Sequence, residues 1–248
     1  AVKLAQRGYE VTMFEKMDKL GGMMRYGIPD FRLPKTILDR YQQKLAELGI
    51  HIRPNTGIGG ALTLDTLFND GYEAVFIGSG VWRPRSLGVK GESLGNCHFA
   101  VDYLQNPDVY QLGDRVAVIG SGNSAMDVAR TAIRKGSRYV TVYARHDEVS
   151  ASQREFEYAQ ADGVEFEYFK GVGSITPRGP MMTELHYDEA GKLIGEDEPT
   201  LFKADSTIIA VSQRPKDKIV RTTTGIETNN KGLVEVDETG ATTREGVF

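Results

Sequence analysis

The sequence predicts an α/β protein built from two Rossmann-like, three-layer nucleotide-binding domains, with the second domain inserted into the first. Three observations support this prediction: two separate β–α–β patterns, a glycine turn between a buried strand and a helix, and no low-complexity segment between the two halves. The chain has 248 residues, of which 40% are hydrophobic and 26% charged, which is enough for one large or two medium cores.

The first 96 residues alternate between strand and helix patterns. We predict a helix over 1–7, strands over 11–15, 50–53 and 74–78, and helices over 35–48 and 64–69. Pro34 stands where a first helical turn tolerates proline, and Gly49 ends the helix that follows. The run 74–78 is continuously apolar, which is typical of a buried parallel strand. The stretch 82–91, rich in Arg, Pro and Gly, is typical of an inter-domain connection.

A second β–α–β pattern begins at Asp114. We predict strands over 116–120, 139–144, 164–169, 204–211 and 233–236, helices over 123–135 and 154–161, and a hairpin from residue 181 that turns at 189–192. The predicted domain ranges are therefore 1–96 and 207–248 for one domain, and 97–206 for the domain inserted into it.

Composition excludes several classes of function. A net charge of −4 and a pI of about 5.7 offer no basic surface for nucleic acid or for an anionic membrane, and the longest apolar runs are of strand length. The single cysteine, Cys97, cannot form an internal disulfide, a CxxC redox pair or a four-thiolate cluster site. The four histidines lack partner acids and metal-ligand spacing, so we expect neither a metal site nor a catalytic side chain.

The ends of the sequence suggest an internal fragment of a longer polypeptide. Residues 1–7 resemble the middle of an amphipathic helix, and the last residues enter an apolar run that stops abruptly. No charged and apolar leader opens the chain, so we expect a cytoplasmic protein.

The strongest motif is a GxGxxA run over 116–125. Gly120 permits a tight turn, Gly122 lets the main chain approach a diphosphate, and Ala125 allows the helix to pack closely on the strand. Free N–H groups and the helix dipole favour an anion at the start of such a helix. We interpret the run as a dinucleotide-binding loop; the alternative is a glycine turn with a purely structural role.

The end of the next strand indicates which nucleotide binds. NAD-binding proteins place an acid there for the ribose 2′-hydroxyl, whereas a nearby cation accommodates the 2′-phosphate of NADP. Here Ala144 and Arg145 occupy the end of the strand, and no carboxylate does. The guanidinium of Arg145 suits a phosphate, and Arg154 is a second candidate. We therefore predict NADP(H), with a solvated surface arginine as the alternative interpretation of Arg145.

The first β–α–β half ends in an acid. Glu15 closes the strand over 11–15, where a carboxylate is expected to accept both adenosine-ribose hydroxyls of FAD or NAD. Gly21 and Gly22 follow, and they allow the second close main-chain approach that a long ligand needs. Without this pair, Glu15 would be read as an ordinary surface acid.

Several runs together resemble a known family. Glu15-Lys16 with Gly21-Gly22, the specific run 27–35 (GIPDFRLPK), and the segments 71–78, 120–130, 163–166, 204–211 and 240–248 are similar to the glutamate synthase small (β) subunit and its relatives. These relatives include the flavin module of dihydropyrimidine dehydrogenase and the bifurcating ferredoxin:NADP oxidoreductases. The resemblance extends over essentially the whole chain.

The resemblance implies an FAD domain with an NADP domain inserted into it. It implies that hydride passes from NADPH to flavin and that electrons leave through iron–sulfur clusters of a cysteine-rich upstream domain. The implied recipients are a large subunit or a ferredoxin-type acceptor. The implied FAD-binding residues are Glu15, Lys16, Gly22, Arg32 and Ile58, and the implied NADP-binding residues are Gly120, Ser121, Gly122, Asn123, Ser124, Arg145, Arg154, Ala210 and Ser212.

Five departures from the family pattern qualify this implication. Ala144 replaces the first of two adjacent basic residues, Ser212 stands where glycine is usual, and Trp82 follows the turn 78–80. The first FAD strand with its glycine turn, and the Gly-Asp motif usual after Gly-Val-Phe, are missing. We therefore expect an inactive fragment that binds NADP(H) but binds FAD weakly or not at all. Its truncated flavin half would expose apolar surface for a partner chain or a homodimer.

Two other functions remain as alternatives. One is a nucleotide-binding or assembly module without catalysis of its own. The other is a disulfide or ferredoxin reductase of related fold, which the cysteine count disfavours.

Overall fold

The computed structural model describes residues 1–216 and 218–248, which form two compact units. Unit 1 comprises 1–25, 30–83 and 213–248, and unit 2 comprises 26–29 and 84–212. This division differs from the predicted domain ranges at three places, because 84–96, 207–212 and 26–29 fall in unit 2. The second difference has a physical reason: a strand over residues 206–209 hydrogen-bonds inside the parallel sheet of unit 2.

The strands span two or three residues in unit 1 and up to nine in unit 2. The helices are α1 (Val2–Ala5), α2 (Gly22–Tyr26), α3 (Lys35–Glu47), α4 (Leu64–Asn69), α5 (Ala100–Gln105), α6 (Asn123–Arg134), α7 (Gln153–Ala161) and α8 (Lys218–Arg221), with a 3₁₀ turn at Pro107–Val109. The strands are β1 (Thr12–Phe14), β2 (His51–Arg53), β3 (Arg83–Pro84), β4 (Cys97–Phe99), β5 (Arg115–Ile119), β6 (Tyr139–Tyr143), β7 (Glu165–Glu167), β8 (Lys170–Thr176), β9 (Gly179–Tyr187), β10 (Leu193–Glu196), β11 (Thr200–Leu201), β12 (Ser206–Ile209) and β13 (Gln213–Arg214).

Most predicted elements are confirmed within two residues at each end. They include α3, α4, α6 and α7, the strands β1, β2, β5, β6, β7 and β12, and the hairpin β9–β10. The predicted α/β class is confirmed as well. The sequence patterns do not predict β4, α5, β8 or β11.

Unit 2 is built on a five-stranded parallel sheet in the order β4–β12–β5–β6–β7. Alternate residues of a strand face opposite sides of the sheet. In β5, Val116 and Val118 pack against α5, α6 and α7, whereas Ala117 and Ile119 pack with Met182 of β9. An antiparallel sheet of β8, β9, β10 and β11 therefore covers the face opposite the helices, which gives three layers.

Unit 1 has a parallel pair, β1 and β2, and a core formed around α4. Leu64 and Leu67 of α4 are buried with Ile226 and Val247. Thr63 caps α4, since its side chain accepts from the N–H of Thr66, so the short helix begins at a defined residue.

Strand β1 has a hydrogen-bonded neighbour on one side only among the described residues. Glu15 N–H donates to Arg53 C=O at 2.9 Å, immediately after the last pair of the β1–β2 ladder. Because main-chain groups alternate in direction along a parallel strand, the N–H and C=O of Thr12 and Phe14 face away from β2.

The predicted buried strand over 74–78 is wrong. Val75 N–H donates to Gly246 C=O at 2.8 Å and Ile77 N–H to Phe248 C=O at 2.7 Å, which makes a bridge with the C-terminal residues and not a sheet strand. Phe76 is 80% exposed. The apolar run predicted burial, but the described residues supply a hydrogen-bonding neighbour on one side only.

The predicted strand over 233–236 is also wrong. Val234 bridges Thr228 and Val236 bridges Thr242, each as an isolated antiparallel pair. Each bridge closes a tight turn, at Asn229 and at Asp237, where the Asn or Asp side chain accepts from main-chain N–H groups that follow it. The chain therefore turns too often here to extend a ladder.

Over residues 1–216 and 218–248, the structure contains no helix with the length and apolar character that crossing a membrane requires.

Candidate nucleotide-binding site

Gly120 makes the turn that connects β5 to α6. Its φ is +118°, and a Cβ at this position would lie 2.6 Å from the carbonyl oxygen of Ala210. Its N–H donates to Tyr143 C=O at 3.1 Å, which ties the turn to the end of β6. Only glycine fits this position, because both the conformation and the neighbouring main chain exclude a side chain.

Gly122 is a glycine for a different reason. It is the N-cap of α6 with an ordinary φ of −82°, and a Cβ on it would make a normal van der Waals contact of 3.6 Å with Ser150 Oγ. The protein therefore leaves room for a side chain here and does not fill it. No side chain caps α6, and its first turn carries no acid, so the N–H groups of Asn123 and Ser124 are presented beside that space.

A loop from the end of β6 is fastened to this turn. Ala151 N–H donates to Ser121 C=O and Ser152 N–H donates to Asn123 Oδ1, both at 2.9 Å. Ser150 N–H donates to Ser121 Oγ at 3.4 Å. Ser121 and Asn123, which the sequence analysis assigned to NADP, therefore also have a structural role. Residues 150–152 were not predicted from the sequence, in which the small size of these residues is the available signal.

The end of β6 carries the predicted ribose reader. Ala144 is 1% exposed and is held by hydrogen bonds, because its N–H donates to Glu167 C=O at 2.8 Å and its C=O accepts from Lys170 N–H at 2.9 Å. Arg145 follows on the surface, and among the described residues it has no ion pair. The structure therefore places an exposed guanidinium where the strand ends and the fastened loop begins.

Arg154 lies at the start of α7. Its guanidinium is 5.4 Å from the ring centre of Tyr158, and its Nε donates to the hydroxyl of that residue at 3.2 Å. Arg154 is thus directed along its own helix in this structure. It shares the loop region with Arg145, but the described contacts do not join the two side chains.

A charge cluster joins α6 to α7 behind the turn. Arg130, which is 8% exposed, lies 3.1 Å from Glu155 and 2.8 Å from Asp162, and Arg134 also pairs with Asp162. Burial acts to raise the pKa of Asp162, but hydrogen bonds from Arg134 and Arg130 hold it below its ordinary value. The cluster therefore fixes α7 and neutralises Glu155, the acid in the first turn of α7.

The segment after β12 closes the other side of the turn. Ala210 N–H donates to Ile119 C=O at 2.8 Å. This bond to β5 holds Ala210 in place, and its carbonyl oxygen excludes a side chain at Gly120. Ser212 has a φ of +64°, which is unusual for a residue with a side chain. Glycine, which the resemblance implies at this position, would adopt this φ without strain.

The FAD candidates lie in unit 1 and are only partly brought together. Glu15 C=O accepts from Thr56 N–H at 2.8 Å, and the aliphatic part of Lys16 lies 3.8 Å from the Cβ position of Gly57, so both neighbour the loop that contains Ile58. One carboxylate oxygen of Glu15 accepts from Met17 N–H at 2.8 Å.

Gly22 and Arg32 lie outside that loop in the chain, Gly22 at the start of α2 and Arg32 before α3. Gly22 has a φ of +50° and begins α2, and its Cβ position lies 4.0 Å from the indole of Trp82. Arg32 is half-buried in the segment before α3. Among residues 1–216 and 218–248, no group of three His, Cys, Asp or Glu side chains is arranged to hold a metal ion.

A parallel sheet whose glycine turn leads into an uncapped helix start defines a dinucleotide-binding unit. The chain belongs to the pyridine nucleotide-disulphide oxidoreductase family, which matches residues 1–248. This result confirms the family to which the sequence motifs pointed.

Curated relatives narrow the similarity within that family. The glutamate synthase [NADPH] small chain of Halomonas elongata is 32% identical over 274 aligned residues, which cover 99% of this chain and 58% of that protein. The glutamate synthase [NADPH] small chain of Azospirillum brasilense is 33% identical over 246, which cover 88% of this chain and 50% of that protein. The chain thus spans about half the length of the curated relatives it matches.

A solved structure supports the fold. FprA of Mycobacterium tuberculosis, determined in complex with NADPH, superposes with a TM-score of 0.68 over 86% of this chain and 67% of that chain. The sequences are 19% identical in this comparison. At that level the likeness establishes the fold.

Proposed function

We propose that this chain is part of an NADPH-dependent flavin oxidoreductase of the glutamate synthase small-chain type, with NADP(H) bound by unit 2 and FAD by unit 1. The observation that carries the proposal is the pair of glycines in the turn before α6. Gly120 is required by the fold, whereas Gly122 is not, so the space beside Gly122 is kept for something other than protein.

A diphosphate suits that space. The first turn of α6 has no capping side chain and no acid, so its N–H groups and the positive end of the helix dipole are available to an anion. Ser150 is the protein group nearest to the Cβ position of Gly122, and its hydroxyl can also donate to a phosphate oxygen. We therefore assign the dinucleotide diphosphate to the N-terminus of α6.

The preference for NADP over NAD rests on Arg145. A permanently charged, planar guanidinium at the end of β6 favours a 2′-phosphate, while the buried Ala144 before it cannot accept from a ribose hydroxyl through its side chain. The likeness to small chains named for NADPH agrees with this assignment.

The redox chemistry belongs to the bound cofactors, and the protein binds and orients them. In unit 1, we assign Glu15 to the adenosine ribose and Gly22 to a close main-chain approach, with Lys16, Arg32 and Ile58 as further FAD contacts. We propose that electrons pass on to iron–sulfur centres or to a partner, either a large subunit or a ferredoxin-type acceptor, since relatives of this chain are named as small chains.

Alone, this chain is expected to bind NADP(H) without transferring electrons. The main chain of β1 at Thr12 and Phe14 faces away from β2, and Phe76 is exposed beside the bridge with Gly246 and Phe248. An incomplete sheet would leave FAD without a rigid binding surface, and its free edges would favour a partner chain or a second copy.

Calorimetric titration of the chain with NADP⁺ and NAD⁺ tests the nucleotide assignment. Replacing Arg145 by Ala should weaken NADP⁺ binding about 10-fold to 100-fold, the contribution of a hydrogen bond to a charged group, and leave NAD⁺ binding unchanged. Arg138→Ala is the matched control, because Arg138 is exposed just before the opposite end of β6. Equal binding of the two nucleotides by the unmodified chain would defeat the role given to Arg145.

Electron transfer is tested on the full-length polypeptide. NADPH oxidation with a dye acceptor, measured with and without added FAD, should depend on FAD. NADPH binding without reduction of any flavin would instead support the alternative of a nucleotide-binding or assembly module.

A further inference from the structure

Three aromatic rings of unit 2 form a row that ends beside Arg145. The ring of Phe169 lies 6.0 Å from that of Tyr187, centre to centre, and the ring of Tyr187 lies 5.2 Å from that of His146. Such distances are within the range of favourable aromatic contacts. The row links the antiparallel sheet to the residue that directly follows Arg145.

Phe169 occupies a strained position in this row. Its φ is +54°, and bulky residues rarely adopt the left-handed region. Its C=O accepts from Leu185 N–H at 2.7 Å, which holds the turn between β7 and β8 in place. Strain of this kind persists where the surrounding structure enforces it, often near a functional site. Here it directs the ring of Phe169 onto Tyr187.

Tyr187 stands on a rigid support. It is the last residue of β9 and pairs with Leu193 at the start of β10. The turn between them is closed by Asp188, whose Oδ1 accepts from the N–H groups of Ala190 and Lys192 at 3.0 and 2.8 Å. The hairpin therefore presents Tyr187 at a fixed place.

The segment that Tyr187 contacts is fastened at its two ends. Ala144 is held by β7 and β8, and Ser150 begins the stretch that is hydrogen-bonded to the glycine turn. Between them, no hydrogen bond from residues 145–149 is described, and the ring of His146 on Tyr187 is the side-chain contact that the structure shows there. The position of Arg145 is thus set by the two ends and by this ring contact.

We infer that Tyr187 is a positioning residue for NADP specificity: it holds His146 and thereby keeps Arg145 directed toward the 2′-phosphate of the nucleotide. The inference rests on the proposed function, since it presupposes that Arg145 contacts this phosphate. It adds a specificity determinant on the hairpin, outside the parallel sheet and the glycine turn.

Calorimetry with NADP⁺ and NAD⁺ on five variants, including Arg145→Ala alone and combined with Tyr187→Ala, tests the inference. Tyr187→Ala should weaken NADP⁺ binding about tenfold while NAD⁺ binding stays within about twofold, because the contact supported is to the 2′-phosphate alone. Tyr187→Phe keeps the ring and should bind both nucleotides as the unmodified chain does. Tyr139→Ala removes an exposed tyrosine from the other end of β6 and should change neither affinity. In an Arg145→Ala background, Tyr187→Ala should cause no further loss.

Other outcomes distinguish a failure of the proposed function from a failure of the role inferred for Tyr187. If the unmodified chain does not prefer NADP⁺, the proposed function fails before any variant is made. If it does prefer NADP⁺ and Arg145→Ala removes the preference, but Tyr187→Ala leaves the ratio of affinities unchanged, the inference alone is overturned. Equal weakening for both nucleotides would show a merely structural role, and a Tyr187→Phe variant that behaves like Tyr187→Ala would show that the ring contact is not what matters.

Discussion

The two glycines of the turn before α6 permit a matched experiment, because each position is glycine for a different physical reason. Gly120 has a φ of +118° and a Cβ position 2.6 Å from the carbonyl oxygen of Ala210. Gly122 has a φ of −82° and a Cβ position 3.6 Å from its nearest neighbour, Ser150. Replacing each by alanine separates the requirements of the fold from those of the ligand.

The expected magnitudes follow from these geometries. At Gly120 the backbone conformation costs a residue with a side chain about 1–3 kcal/mol, and the overlap with Ala210 adds about 1–3 kcal/mol, so Gly120→Ala should destabilise unit 2 by about 2–6 kcal/mol. At Gly122 alanine fits sterically, but alanine is a poorer N-cap residue than glycine, which offsets the gain of about 0.4–1 kcal/mol through the unfolded state. The free energy of unfolding should therefore change by less than about 1 kcal/mol. With a diphosphate bound, the same methyl group would overpack the site by about 1–3 kcal/mol, which weakens NADP⁺ binding about 5-fold to 150-fold.

The assay combines thermal unfolding with calorimetric titration. Gly120→Ala should lower the midpoint of unfolding by at least about 4 °C, at about 2–4 °C per kcal/mol for a chain of this size. Gly122→Ala should unfold within about 4 °C of the midpoint of the unmodified chain and yet bind NADP⁺ poorly. Unchanged NADP⁺ affinity in Gly122→Ala would refute the placement of the diphosphate, whatever the result for Gly120.

Three further predictions concern other parts of unit 2. Ser212→Gly should raise the free energy of unfolding by about 0.5–1 kcal/mol, because the φ of +64° strains any side chain; urea titration showing no gain would contradict this. Burial acts to raise the pKa of Asp162, but hydrogen bonds from Arg134 and Arg130 prevail and lower the pKa in the folded state. The ionised carboxylate therefore stabilises the fold fully above its unfolded pKa near 4, and this stabilisation is lost as pH falls through the folded pKa. Asp162→Asn should therefore be less stable than the unmodified chain at neutral pH, and it should lose less stability than that chain on acidification. Urea titrations at several pH values measure both, and parallel pH profiles of the two proteins would exclude this linkage. Burial raises the pKa of Cys97 to about 11, so a thiol reagent at about pH 8 should modify this residue only after the chain unfolds. Rapid labelling of the native chain would show that Cys97 is not buried.

The sequence was most informative where the type of residue at a position is determined by local structure. The apolar run before Gly120 predicts a strand buried on both faces, and β5 is such a strand, with alternate residues in two separate cores. Ala125 is fully buried in the core that α6 shares with the sheet, as expected from close packing of helix on strand. In these cases local pattern and tertiary environment agree.

The sequence was less informative where the outcome depends on distant partners. The apolar run 74–78 has the composition of a buried strand, but burial requires neighbours, and the described residues supply one on a single side. The strand Ser206–Ile209 lies between β4 and β5, and no local pattern reveals which domain a strand pairs with. The contacts of Ser121 and Asn123 with 150–152 join segments about 30 residues apart, and the contact of Tyr187 with His146 spans about 40.

Those long-range contacts also explain why the site should bind anions even without Arg145. The hydrogen bond from Ser152 N–H to Asn123 Oδ1 joins the N-cap residue of α7 to the first residue of α6, so two helix N-termini adjoin at one loop. Each carries about half a positive charge, and Glu155, the acid in the first turn of α7, is neutralised by Arg130. The diphosphate, which NAD and NADP share, would be attracted by this arrangement, whereas the 2′-phosphate would depend on Arg145. Affinity and specificity should therefore be separable by mutation. Replacing Gly122 should weaken the binding of both nucleotides, whereas replacing Arg145 should weaken the binding of NADP⁺ alone.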